Sequence, residues 1–163
     1  MERTPMESSL ATPADAEIIL KLYDLRREEV MRKARTWVMS EFWPSTADEY
    51  FNTAMNPADP HNAYVRQVVS FWEMAAALVL HGTVSPELFI DCNQEGLFLL
   101  AKFEGILDGV RERNPMFLAR TSDLVKRFPA AAARFEMVKK QVEGMRARMT
   151  AAAASQYAYP AKP

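Results

Sequence analysis

The most regular pattern in the chain lies near its C-terminus. Ala131, Phe135, Val138, Val142, Met145 and Met149 follow one another at spacings of 4, 3, 4, 3 and 4, the seven-residue repeat of a helix with one apolar seam. This predicts a helix over about 130–151. Midway along the chain two adjacent apolar lines run together, Tyr64, Val68, Phe71, Ala75, Leu78 and Val65, Val69, Trp72, Ala76, Val79. A helix apolar around most of its circumference is a buried one, so residues 62–81 are predicted to form the centre of the fold. Gly82 stands where the helix ends, the position at which left-handed geometry suits glycine. Upstream, Ile19, Leu22, Tyr23, Val30, Ala34, Trp37 and Val38 recur at helical spacing and predict one long helix to about Phe42, opened by Thr12 as cap and Pro13 in the first turn. Arg26 and Arg27 interrupt its face.

Breakers divide the remainder. Pro44 stops the first helix, and Ser45 with Asp48 reads as a capping-box restart of a short helix ending near Met55, followed by the loop Asn56-Pro57-Ala58-Asp59-Pro60. Ser85-Pro86-Glu87 opens a short helix through Asp91, and another is expected from Glu95 to Arg113. Asn114-Pro115 reads as the cap and first turn of a helix to Arg127, closed by Phe128-Pro129. The expectation is an all-α protein, an irregular up-and-down bundle of about six or seven helices around a buried central helix, residues 62–81. One domain is expected over 12–151, between a disordered segment 1–11 and a disordered tail 152–163.

Composition agrees with that class: of 163 residues 49% are apolar and only five are glycine, which favours helices over turn-rich sheets. The single cysteine, Cys92, cannot form an internal disulfide, and Met1 to Leu10 lack the apolar core of a secretory signal. Both point to the cytoplasm. Val65 to Val84 is interrupted by Arg66, Gln67, Glu73 and His81, so a core helix explains it better than a membrane span. Net charge is −1 but uneven: residues 41–108 hold ten acidic and two basic side chains, a sum of −8, and residues 111–163 hold four and eleven, a sum of +7. Such asymmetry bears on association.

Candidate chemistry is sparse. Asp91-Cys92-Asn93-Gln94-Glu95-Gly96 has the alternating oxygens and sixth-position glycine of a calcium loop, but the twelfth position, where a bidentate glutamate belongs, is Lys102. The stretch therefore reads as a polar interhelical turn. Histidine occurs only at 61 and 81 and no paired metal-ligand spacing is present, so neither metal nor cofactor is expected. Nothing resembles a phosphate loop or a nucleophile elbow. Glu73, within the apolar helix, needs partners. The expected arrangement is a structural polar network of Glu73 with Arg26, Arg27, Arg66 and His81; the alternative makes Glu73 and His81 an acid/base pair in a small-molecule or enzyme pocket. Gly105 and Gly109, four apart on one helix, allow another backbone to approach, read as local packing before a dimer face.

The central block, Ala63-Tyr64-Val65-Arg66 through Ser70-Phe71-Trp72-Glu73-Met74 to Leu80-His81-Gly82 and then Pro86-Glu87-Leu88-Phe89, resembles a group of small bacterial helical proteins catalogued only as a domain of unknown function. The similar region spans about residues 15–127. The resemblance implies a bacterial, all-helical, non-secreted protein; it brings no activity and no functional residues.

With no catalytic constellation, the expected function is non-enzymatic: a helical interaction module that binds a protein partner or a second copy through the seam Phe135, Val138, Val142, Met145 and Met149, aided by its opposed charges. The alternative from another class is nucleic-acid association through a basic face of Arg134, Lys139, Lys140, Arg146 and Arg148, opposite the seam and diluted by Glu136 and Glu143.

Overall fold

A computed structural model of the chain describes residues 10–157, with side chains as far as 152. The order is α1 (Pro13–Arg27), α2 (Glu29–Ser40), α3 (Ala47–Ala54), α4 (Asn62–Leu80), α5 (Pro86–Cys92), α6 (Glu95–Phe103), α7 (Leu107–Arg113), α8 (Ala119–Arg127) and α9 (Pro129–Tyr157). The class is all-α, and no strand occurs among the described residues. The helices are more numerous than the pattern predicts because two that read as continuous are broken.

The first break is at Glu28. α1 opens with a full capping box, Thr12 Oγ1 accepting from the Asp15 amide at 3.3 Å and Asp15 Oδ2 from the Thr12 amide at 2.6 Å. It ends where Glu28 turns extended (φ −52°, ψ 143°) and uses its own carboxylate to cap α2, accepting from the Met31 amide at 2.9 Å. That bond draws the Glu28 carboxyl below its usual range. The break shifts the helical phase, so Met31 is buried while Tyr23 and Val30, expected inside, are exposed.

The second break replaces the expected helix 95–113. A tight turn of 3₁₀ helix at Glu104–Ile106 separates α6 from α7 and lets α7 lie against α3. A Cβ built at Gly109 would stand 3.1 Å from the Ala47 Cβ, so the close approach expected of the glycine pair is real at Gly109, within the chain; Gly105 has nothing within 4 Å.

Two helix starts also move. Thr46, not Ser45, caps α3, accepting from the Glu49 amide at 3.1 Å, while Glu49 Oε2 accepts from the Ser45 amide at 2.6 Å. The expected start at Asn114-Pro115 is a turn, and α8 begins at Ala119 after Leu118, the one non-glycine residue of positive φ (49°) among those described. That conformation drives Phe117 and Leu118 into the core, and Arg111 holds it, donating to the carbonyls of Phe117 (3.0 Å) and Leu118 (3.1 Å) and to Ser122 Oγ (2.6 Å). At the far end, α9 runs past residue 151 to Tyr157; of the segments expected to be disordered, 1–9 and 158–163 lie outside the described residues.

α4 is the hub. It packs against α2 and α8 and touches α3, α5 and α6, burying Val65, Val68, Ala75, Ala76, Val79 and Trp72, which is 1% exposed. It is also long and apolar enough to cross a membrane by composition, yet Ala63, Arg66, Ser70 and Met74 form its only exposed strip here. Gly82 ends it as expected at φ 73°, with the Thr83 amide returning to the Leu78 carbonyl at 2.9 Å. Beside it, Phe42, Tyr50, Phe103 and Phe117 form an aromatic group with centroids 4.9–6.1 Å apart. Burial there pushes the Tyr50 phenol well above its ordinary value.

Several helix ends are closed by residues of other elements. Asn62 Nδ2 donates to the last carbonyl of α3, Ala54, at 2.9 Å, and Asp15 of α1 accepts from the Ser85 amide, the cap position of α5, at 2.7 Å.

Candidate functional site

A polar concavity lies where the α5–α6 corner meets α9. It is a cleft of about 450 Å³, within the range of small-molecule sites. Its floor is apolar: Met39 of α2, Ile90 of α5, Phe98 of α6 and Val138 of α9. Asn93 and Glu95 from the α5–α6 side and Arg134 from α9 line it, together with Arg26 and Asp91. The stretch that imitates a calcium loop is thus one side of a cleft. Among the described residues no three His, Cys, Asp or Glu side chains gather as a metal site.

Glu95 is locked in place. Its Oε1 accepts from Arg35 Nε at 2.7 Å and from the Trp72 indole Nε1 at 3.0 Å, and Oε2 accepts from the other arm of the Arg35 guanidinium. The fork-to-fork pair raises the Arg35 pKa, and Arg35 also donates to the Arg26 carbonyl at 3.3 Å. Three helices, α2, α4 and α6, are tied together at one carboxylate. Sequence reasoning missed this network, although one signal pointed to it: a buried tryptophan requires an acceptor for its N–H, and Glu95 opens the apolar run Leu97 to Leu100.

The expected network around Glu73 does not assemble. Glu73 caps α8: Oε2 accepts from the Arg120 amide at 2.8 Å, and Oε1 from the Thr121 amide at 2.9 Å and the Thr121 hydroxyl at 2.7 Å. The physical reason is the start of α8. Leu118, its cap residue, has no side-chain acceptor, so the first-turn amides and the positive end of the helix dipole draw a carboxylate from the neighbouring helix. Arg26 and Arg27 instead stand over the Tyr23 ring, at 4.9 and 5.3 Å. Arg66 donates to Asn62 Oδ1 at 2.6 Å on the exposed strip, and His81 is exposed at the end of α4. His81 does line a shallow depression with Arg120, Asp123, Lys126 and Arg127, but Glu73 does not reach it.

The seam of α9 is mostly consumed inside the chain. Ala131, Phe135, Val138 and Val142 are buried against the bundle, Met145 is half-buried, and Met149 is exposed. Nor do the five cations form one basic face. Lys139 pairs with Glu104 at 2.8 Å, and Arg134 lies 3.8 Å from Asp91. Arg146 donates to the Lys102 carbonyl at 2.6 Å and lies over Trp43. Of these five, Lys140 and Arg148 form no ion pair or carbonyl bond of that kind among the described residues. At 100° per residue the positions 134, 139, 140, 146 and 148 spread around the helix, so opposition to a seam could not hold for all of them.

Lys102, which the sequence reading used only to dismiss calcium, is fully enclosed, with 0% exposure. Its ammonium closes the end of α2, donating to the Val38 carbonyl and, at 3.3 Å, to that of Met39, and lies 4.0 Å from the centre of the Trp43 ring. Burial, with the Arg146 charge second, pulls its pKa down to about 7.

The fold and site define an all-helical domain with a small polar cleft. Comparison places the chain more narrowly: the family model described as "Domain of unknown function (DUF4760)" matches residues 11–128. The chain belongs to that family, and the match covers α1 to α8, leaving α9 outside it. No curated protein and no solved structure matches the chain.

Proposed function

We propose that this chain is a non-enzymatic helical interaction module that pairs with a second copy of itself through the far end of α9. One observation carries the reading: the seam of α9 leaves the bundle before it ends. It is buried through Val142 and then emerges, with Met149 44% exposed and every residue of 147–152 exposed, while the helix continues to Tyr157. A helical stretch as exposed as 147–151 is marginal in water, because most helical stability in proteins comes from packing an apolar face. A partner that covers Met145 and Met149 supplies that packing. Some of the opposed charges of residues 111–163 and 41–108 already pair within the chain, as Arg113–Asp48, Arg134–Asp91 and Lys139–Glu104 do, and the remaining ones steer such an association between two copies.

Sedimentation of the full chain at low and high salt tests this. The expected result is a dimer at about 50 mM salt that loosens at higher ionic strength, and that Met149→Glu converts to monomer with unchanged helicity. A strict monomer throughout overturns the reading.

A further inference from the structure

The cleft at the α5–α6 corner brings side chains of both charges together with an apolar patch. Its two basic residues, Arg26 and Arg134, and its two acidic residues, Asp91 and Glu95, balance, so the lining has no net preference for an anion or a cation. Glu95 and Asn93 come from the α5–α6 side and Arg134 from α9, where it lies 3.8 Å from Asp91. The same lining includes the apolar side chains of Met39, Ile90, Phe98 and Val138.

Each wall has capacity left. Asn93 is 7% exposed; its Nδ2 donates to the Phe89 carbonyl at 3.2 Å, and its Oδ1 accepts no hydrogen bond among the described residues. Glu95 Oε2 accepts from Arg35 alone, which leaves an acceptor position on a carboxylate that is already held rigid. Arg134 meets Asp91 only at 3.8 Å, and Asp91 is largely in water, so most of the guanidinium donors remain for a carboxylate. The pre-set wall costs little ordering on binding.

We propose that this cleft binds a small zwitterion with an apolar side chain, an α-amino acid of the aromatic or branched aliphatic class. The ligand carboxylate meets Arg134, its ammonium donates to Asn93 Oδ1 and Glu95, and its side chain covers Phe98 and Val138. This inference is independent of the pairing proposed for the end of α9.

Nuclear magnetic resonance titration of the full chain with L-phenylalanine, phenylacetate and phenethylamine tests it. The expected result is saturable shifts of the amides of residues 92–98 and 138–141 with L-phenylalanine, and binding at least about tenfold weaker for the two analogues that lack one charge. Arg134→Gln weakens L-phenylalanine by about tenfold or more, Arg134→Lys by less, and Lys140→Gln, elsewhere on α9, not at all. Absence of saturable shifts, shifts outside the cleft, or analogues that bind as tightly as L-phenylalanine would overturn the proposal.

Discussion

Glu73 completes the first turn of a helix to which it does not belong, its Oε1 accepting from both the amide and the hydroxyl of Thr121. The bond joins α4 to α8 at a helix start whose own cap residue, Leu118, has no side-chain acceptor.

Removing that carboxylate is therefore a capping mutation between two elements. Glu73→Ala is expected to lower stability by about 1–2 kcal/mol, and Glu73→Gln, which keeps an acceptor but not the charge, by about half as much. Urea unfolding checks the order. A Glu73→Ala midpoint equal to that of the parent protein removes the cap from the account of this packing.

What could be read before the structure was whatever depends on neighbours in sequence. The two apolar lines of α4, the glycine end at Gly82 and the cap at Thr12 are local signals, and all three hold. Glu28 was read through because a glutamate inside a helical pattern does not announce that it will cap the next helix. The start of α8 was misplaced because Asn114-Pro115 is a good local signal, overridden by the burial of Phe117 and Leu118. The site was hardest. Glu73 needed a partner, but the choice between Arg26 and the Thr121 amide depends on where α8 lies, 47 or more residues away in sequence. Arg35, Trp72 and Glu95 come from three helices, and no spacing relates them.

Glu95 is the second test. Glu95→Ala leaves the Arg35 guanidinium and the Trp72 indole without their acceptor in a place that is mostly dry, and is expected to cost about 3–5 kcal/mol. Replacing both Arg35 and Glu95 by methionine removes the charges together and is expected to cost less than Glu95→Ala alone. Thermal unfolding of the single and double variants measures the difference; if the double variant is the less stable, the pair contributes more than it costs to bury.

Lys102 links stability to pH. Its folded pKa of about 7 lies below the ordinary 10.5, so between those values the unfolded chain holds a proton that the folded chain has released. Stability contributed through Lys102 then rises as pH increases from about 7. The expected outcome is a parent protein that gains stability relative to Lys102→Met between pH 7 and 9, with a constant offset at lower pH from the carbonyls of Val38 and Met39 that lose their donor. Parallel profiles over that window would show that Lys102 stays charged.

Gly105 in the 3₁₀ turn and Gly109 in α7 divide sharply. Gly105→Ala meets open space and is expected to stabilise by about 0.5–1 kcal/mol through the lost freedom of the unfolded chain. Gly109→Ala places its methyl 3.1 Å from the Ala47 Cβ, which can yield only if α3 itself moves, so no gain or a net loss is expected. Chemical denaturation of the two variants decides; equal gains would mean that α3 gives way freely.

The borrowed helix ends have a consequence for how the chain assembles. α8 takes its first-turn acceptor from α4, α2 its last donor from α6, α3 its last donor from α4, and α5 a cap from α1. None of these four is finished until its lender is in place, so a half-built molecule exposes open ends and gains little from the helices it already has. Folding of α1 to α8 is accordingly expected to be all-or-none, and an excised fragment of two or three of these helices should lose its helicity in water.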